Sequence, residues 1–138
     1  MEGTFRTYDE EWRMRAHTLI EKICTDTAAM HGAKCEAEVR RGYPFLKNDE
    51  DLSNNARLWA EEYLGTENVE DLEIWPAGED FAYYSQEIPA CFYRLGIRNK
   101  ERGITSMLHT PTFDIDEKAL KVGSGLMAYL AIRELKSV

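Results

Sequence analysis

An α/β (α+β) fold is predicted by three features of the sequence. Residues 34–42 alternate, with Cys35, Ala37 and Val39 on one side and Glu36, Glu38 and Arg40 on the other, the pattern of a strand with one wet face. Ahead of it, Trp12, Ala16, Leu19, Ile20, Ile23, Thr27 and Met30 recur at helical spacing. Glu2–Thr7 reads as a further strand, so the chain opens β-α-β, which argues for a sheet with helices on one face.

Thr7 and Glu10 have the spacing of a capping box for the first helix, and Gly32 is its terminator. The connecting helix is long enough for either a crossover or a split arrangement of the two strands. Tyr43-Pro44 then breaks the ladder, because proline has no N–H to donate, and Lys47–Asp51 forms a polar hinge where a subdomain boundary is expected.

Leu52, Ala56, Trp59, Ala60 and Tyr63 define a second helix, with Asn48 or Asp49 as its cap and Gly65 as its stop. Val69–Ile74 is a weak strand, and Glu79–Gln86 a short helix whose first turn carries Glu79 and Asp80. Cys91–Ile97, apolar and aromatic, has the composition of a strand buried on both faces. Asp114 or Asp116 caps a last helix with Leu120, Gly123, Met127, Leu130 and Ala131 as its core face, and Gly123 with Gly125 would let it approach a sheet closely.

With 138 residues, 43% of them hydrophobic and 11% aromatic, the chain can bury one core. Its 17 basic and 25 acidic residues give a net charge of −8, which argues against nucleic acid or an anionic membrane as the main partner. No apolar run is long enough to span a bilayer, and Met1-Glu2-Gly3-Thr4 lacks the features of a signal peptide, so a cytoplasmic protein is expected. Cys24, Cys35 and Cys91 show no CxxC spacing and read as three reduced core thiols.

The groups able to do chemistry concentrate in two stretches, Gly78–Tyr84 and Leu108–Phe113, on either side of the Cys91–Ile97 strand. If that strand is buried, Glu79, Asp80 and His109 can converge at one end of a sheet, where open α/β folds place their sites. Three ligands are the minimum for a catalytic metal, and the chain has neither an HExxH nor an HxD motif. Glu79 and Asp80 also suit a helix start on dipole grounds alone. A Cys91–His109 nucleophile pair is disfavoured because an apolar strand opposes the thiolate. Arg6 offers a planar fork suited to a carboxylate, although an arginine pointing outward from a strand is most often solvated.

Taken in order, Gly3-Thr4-Phe5-Arg6-Thr7, Arg41-Gly42-Tyr43-Pro44, Gly78-Glu79-Asp80-Phe81-Ala82-Tyr83-Tyr84, Leu95-Gly96-Ile97 and Leu108–Asp116 resemble the C-terminal part of M20-family metallohydrolases. The nearest branch is the amidohydrolases that cleave N-acyl-amino acids, hippurate and indole-acetyl-amino acids. The resemblance implies that residues 1–46 are the second half of a ferredoxin-like lid, often the dimerisation domain, and residues 47–138 the closing part of a zinc-peptidase-like catalytic domain. It implies that His109 is a metal ligand, with zinc or manganese as the metal. It further implies that Arg6 grips the substrate carboxylate and that Glu79 and Asp80 line the cleft. The family's other ligands and its general-base glutamate have no counterpart here, so no complete catalytic set is expected. The expectation is a fragment of an amidohydrolase, inactive alone and homo-oligomeric through unpaired strand edges. The alternatives are a non-catalytic oligomerising interaction module, or one half of a split enzyme.

Overall fold

Asp9 starts the first helix: its carboxylate accepts the Trp12 N–H at 2.8 Å, and α1 runs Glu10–Met30. The cap is therefore Asp9 and not Thr7, whose hydroxyl accepts the Asp9 N–H instead, at 3.3 Å. The reciprocal half of a capping box is missing because the Glu10 carboxylate is taken by Arg13 and by the Phe45 N–H. At the other end Gly32 takes a left-handed φ of +69° and donates to the Ala29 carbonyl, so it stops the helix as expected. The expected apolar face is only partly covered: Ala16 is buried, whereas Leu19, Ile23 and Met30 are exposed.

The computed structural model describes residues 2–137. They divide into two compact units, one running up to Asn48 and including Glu73–Ala90, the other comprising Asp49–Leu72 and the residues from Cys91 onward. Among the described residues there is no β ladder, and the isolated bridge is Asn99 to Ile104, antiparallel. Residues 2–7, 34–42 and 91–97 thus carry no regular secondary structure.

In the first unit, α1 is joined by the short helix α3, Ala82–Glu87. Glu79 and Asp80 precede this helix instead of forming its first turn. Gln86 of α3 donates to the Phe45 carbonyl at 3.0 Å, so the residues after Gly42 are held by both helices.

In the second unit, Asp49 accepts the Leu52 N–H at 2.9 Å and starts α2, Glu50–Leu64; Gly65, with φ +91°, ends it before a 3-10 turn at Thr66–Asn68. The last helix, α4, spans Lys118–Ser137 and packs on α2. Tyr63 stacks on Tyr129 with centroids 5.1 Å apart, and Arg133 bonds Glu62 while lying 5.7 Å from the Trp59 ring centre. In α4 Ala119 and Leu126 are buried and Gly123 and Leu130 half-buried; of the expected face Gly123 and Leu130 are thus covered, whereas Leu120, Met127 and Ala131 are exposed.

Two further expectations need correcting. Cys91–Ile97 is not buried on both faces: Cys91, Tyr93, Leu95 and Ile97 are half-buried, and Phe92, Arg94 and Gly96 are exposed. The cysteines are free, but Cys24 and Cys35 are exposed and only Cys91 is half-buried, so they are not three core thiols. No helix among the described residues is long and apolar enough to cross a membrane.

Candidate functional site

The segment that delivers His109 is closed on itself by short-range bonds. Ser106 Oγ and Thr112 Oγ1 are 2.8 Å apart, Thr110 Oγ1 donates to the Met107 carbonyl at 2.8 Å, and the Phe113 N–H reaches the Thr110 carbonyl at 3.1 Å. At the apex, His109 has φ +62°, the one non-glycine residue among those described with a left-handed backbone. For a residue with a Cβ this conformation costs about 1–3 kcal/mol, and such strain clusters at functional sites. The imidazole is exposed.

Asp116 fastens the base of this loop. Its N–H bonds the Ile97 carbonyl at 2.9 Å, Asn99 Nδ2 donates to its Oδ2 at 2.6 Å, and its Oδ1 receives Arg102 Nη1 at 3.3 Å and the Lys118 N–H at 3.1 Å. The Asn99 carboxamide most of all, then the Lys118 amide and the Arg102 and Lys118 charges, hold this carboxyl below the usual aspartate pKa. Asp116 is therefore the residue that starts α4, of the two candidates read from the sequence.

The other candidate residues belong to the first unit. A Cβ built on Gly78 would lie 3.4 Å from Arg6 Nη1 and 3.7 Å from Tyr43 Cδ2, so the guanidinium and the Tyr43 ring both come up to this glycine. Tyr43 is in turn edge-on to Tyr83, centroids 6.0 Å apart and planes at 82°. Glu79, half-buried, accepts the Phe81 N–H at 3.3 Å; Asp80 is exposed and its carbonyl accepts the Tyr83 N–H at 3.0 Å. The structure thus brings Arg6 beside Gly78, next in sequence to Glu79, while His109 belongs to the second unit.

Among the described residues, no three His, Cys, Asp or Glu side chains group so as to hold a metal ion. One imidazole is too few donors, so the residues present do not by themselves fit a metal centre.

A model of the peptidase family M20/M25/M40 matches residues 4–133. The chain belongs to this family. The expectation drawn from the five motifs is borne out at this level. The M20 chain is 35% identical over 138 residues to the N-acetylcysteine deacetylase of Bacillus subtilis, covering all of this chain and 34% of that protein. It is 33% identical over 139 residues to the IAA-amino acid hydrolase ILR1-like 6 of Arabidopsis thaliana, covering 96% of this chain and 30% of that one. Among solved structures it is similar to the Bacillus subtilis YXEP protein, described as a dinuclear metal binding peptidase from the M20 family. The TM-score is 0.75 at 32% identity, over 96% of this chain and 35% of the other. The M20 chain thus spans about a third of the length of the curated relatives it matches.

Sequence reasoning missed Arg13, the buried charged residue of the first unit. Its side chain bonds Glu10 and the carbonyls of Gly42 and Tyr43. An arginine in a helix carries no local signal of burial. Tyr43 was visible only as part of a turn motif.

Proposed function

We propose that this chain is part of an M20 amidohydrolase that cleaves N-acyl-amino acids or small peptides, and that it contributes His109 as a metal ligand. The observation that carries the reading is the left-handed backbone of His109, held at the apex of a loop whose closing bonds are all its own. Family membership and the N-acyl-amino-acid substrates in the names of two relatives support it. The metal is a divalent ion, zinc or manganese.

In this reading Arg6 binds the substrate carboxylate through its two-pronged guanidinium, a geometry a lysine does not reproduce. Glu79 and Asp80 line the same side of the cleft. Residues 1–46 act as half of a ferredoxin-like lid and 47–138 as the closing part of an α/β catalytic domain. Residues 2–7, 34–42 and 91–97 form strands once neighbouring strands supply their hydrogen-bond partners, in a homo-oligomer or against the rest of the enzyme. The working compartment is the cytoplasm. The isolated 138-residue chain does not hydrolyse substrate, since its described residues hold no metal-binding group of three.

The test is complementation. The chain is co-produced with the first two thirds of the Bacillus subtilis N-acetylcysteine deacetylase, and release of free amino acid from N-acetyl substrates is assayed with added zinc or manganese. Restored, metal-dependent hydrolysis that disappears in His109→Ala and survives in the control His17→Ala is expected. Hydrolysis indifferent to His109→Ala would sink the proposal.

A further inference from the structure

The first turn of α1 grips the Gly42–Phe45 turn at both ends. Arg13 is 6% exposed, and burying a guanidinium is tolerable only when its donors are matched. Four of its five N–H donors are: Nε and Nη2 meet Glu10 Oε2 at 2.9 and 2.5 Å, and Nη1 donates to the Tyr43 carbonyl at 2.7 Å and the Gly42 carbonyl at 3.4 Å. Glu10 has a second oxygen, and it accepts the Phe45 N–H at 2.9 Å. Pro44 between them has no N–H, so the clasp uses the one donor that remains in Pro44-Phe45 and two consecutive carbonyls.

The clasp sets the backbone of Tyr43, and the Tyr43 ring reaches Gly78 and Tyr83. Arg6 Nη1 comes up to the same glycine. We propose that Arg13, through Glu10 and Tyr43, is a positioning residue that fixes where Arg6 stands beside Gly78–Asp80, and so sets the enzyme's preference for substrates with a free carboxylate. This rests on the reading of Arg6 as the carboxylate-binding group. Arg13 itself does not touch substrate. Its charge is neutralised by Glu10, and what it supplies is the fixed fork that lysine lacks.

The experiment uses the full 138-residue chain. N-acetyl-L-alanine and N-acetyl-L-alanine amide are titrated into it by NMR, and the ratio of their affinities is the readout. A role limited to stability lowers the folded fraction and weakens both ligands equally, leaving the ratio unchanged. The wild type is expected to prefer the acid, Arg6→Ala to abolish the preference, and Arg13→Lys to cut it about tenfold, with α2 and α4 amide resonances unmoved. If Arg13→Lys fails to fold, Tyr43→Leu, which leaves the clasp intact and removes the ring beside Gly78, is expected to give the same loss. A wild-type ratio in folded Arg13→Lys, or in Tyr43→Leu where the lysine variant does not fold, overturns the proposal while Arg6→Ala still shows its effect. No acid preference in the wild type, or none lost in Arg6→Ala, overturns the carboxylate reading itself, and the proposal with it.

Discussion

Leu95 rests on Gly123 of α4: a Cβ added at that glycine would fall 2.7 Å from Leu95 Cδ2. The absence of a side chain leaves that space to the end of the Leu95 side chain. Gly125, two residues on, takes the Tyr63 hydroxyl in the same way. Glycine inside a helix costs about 1 kcal/mol relative to alanine, so each contact must return at least that much.

Gly123→Ala is therefore expected to leave stability within about 0.5 kcal/mol, the shift of the Leu95 side chain offsetting the gain in helix propensity. In a Leu95→Ala background the clash is gone, and the same change is expected to stabilise by about 0.5–1 kcal/mol. Urea unfolding of the four chains closes the cycle, and a gain that appears only without the Leu95 side chain is the result to look for.

The caps give a second test. Asp9→Ala and Asp49→Ala each remove an acceptor from a helix N-terminus and are expected to cost about 1 kcal/mol, while Thr7→Ala stays within about 0.5 kcal/mol. Denaturation midpoints compared across the three variants decide it; a Thr7→Ala as costly as Asp9→Ala would restore the capping box.

Asp116 makes stability depend on acid. Its folded pKa lies below the ordinary aspartate value, chiefly through Asn99, so the unfolded chain takes up the proton first as pH falls. Its contribution is complete above the unfolded pKa and is lost as pH drops through the folded one, in the range below about pH 4. Asn99→Ala is expected to flatten the acid limb of a plot of urea midpoint against pH, with little change in slope near neutrality.

Thiol chemistry should separate the cysteines. Cys24 and Cys35 are exposed and are expected to react rapidly with a disulfide reagent, Cys91 more slowly, behind the half-buried face it shares with Tyr93. Burial, and then the negative charge that the neighbouring Cys91 sulfur carries when ionised, push the Tyr93 phenol above its usual pKa. Two fast equivalents and one slow one in the wild type, falling to one fast in Cys24→Ser, would match this arrangement.

The motifs around His109 marked it as the residue to watch, yet nothing in the letters signalled its left-handed backbone, since histidine lacks the freedom that makes glycine conspicuous at such positions. Arg6 and Gly78 both lie in the family motifs, but only folding brings the guanidinium up to the glycine, beside a Tyr43 ring placed by a clasp linking positions 29 to 35 residues apart. The α4 core stripe was legible only in part, at Gly123 and Leu130, because the apolar letters of that helix outnumber the places its neighbours cover, and Leu120 and Met127 lost out to Ala119 and Leu126.

By itself the amino-acid order determined the helices, their stops at Gly32 and Gly65, the cap at Asp49 as one of two candidates, and membership of the M20 family. These are decided by atoms within a few residues of one another, or by motifs readable in a line. Only tertiary structure decided that Glu10 serves Phe45 instead of Thr7, that Gly123 receives Leu95, and that Arg6 reaches Gly78. Each of those choices is a competition for one donor, one acceptor or one gap, and it is settled by groups that only folding brings within reach.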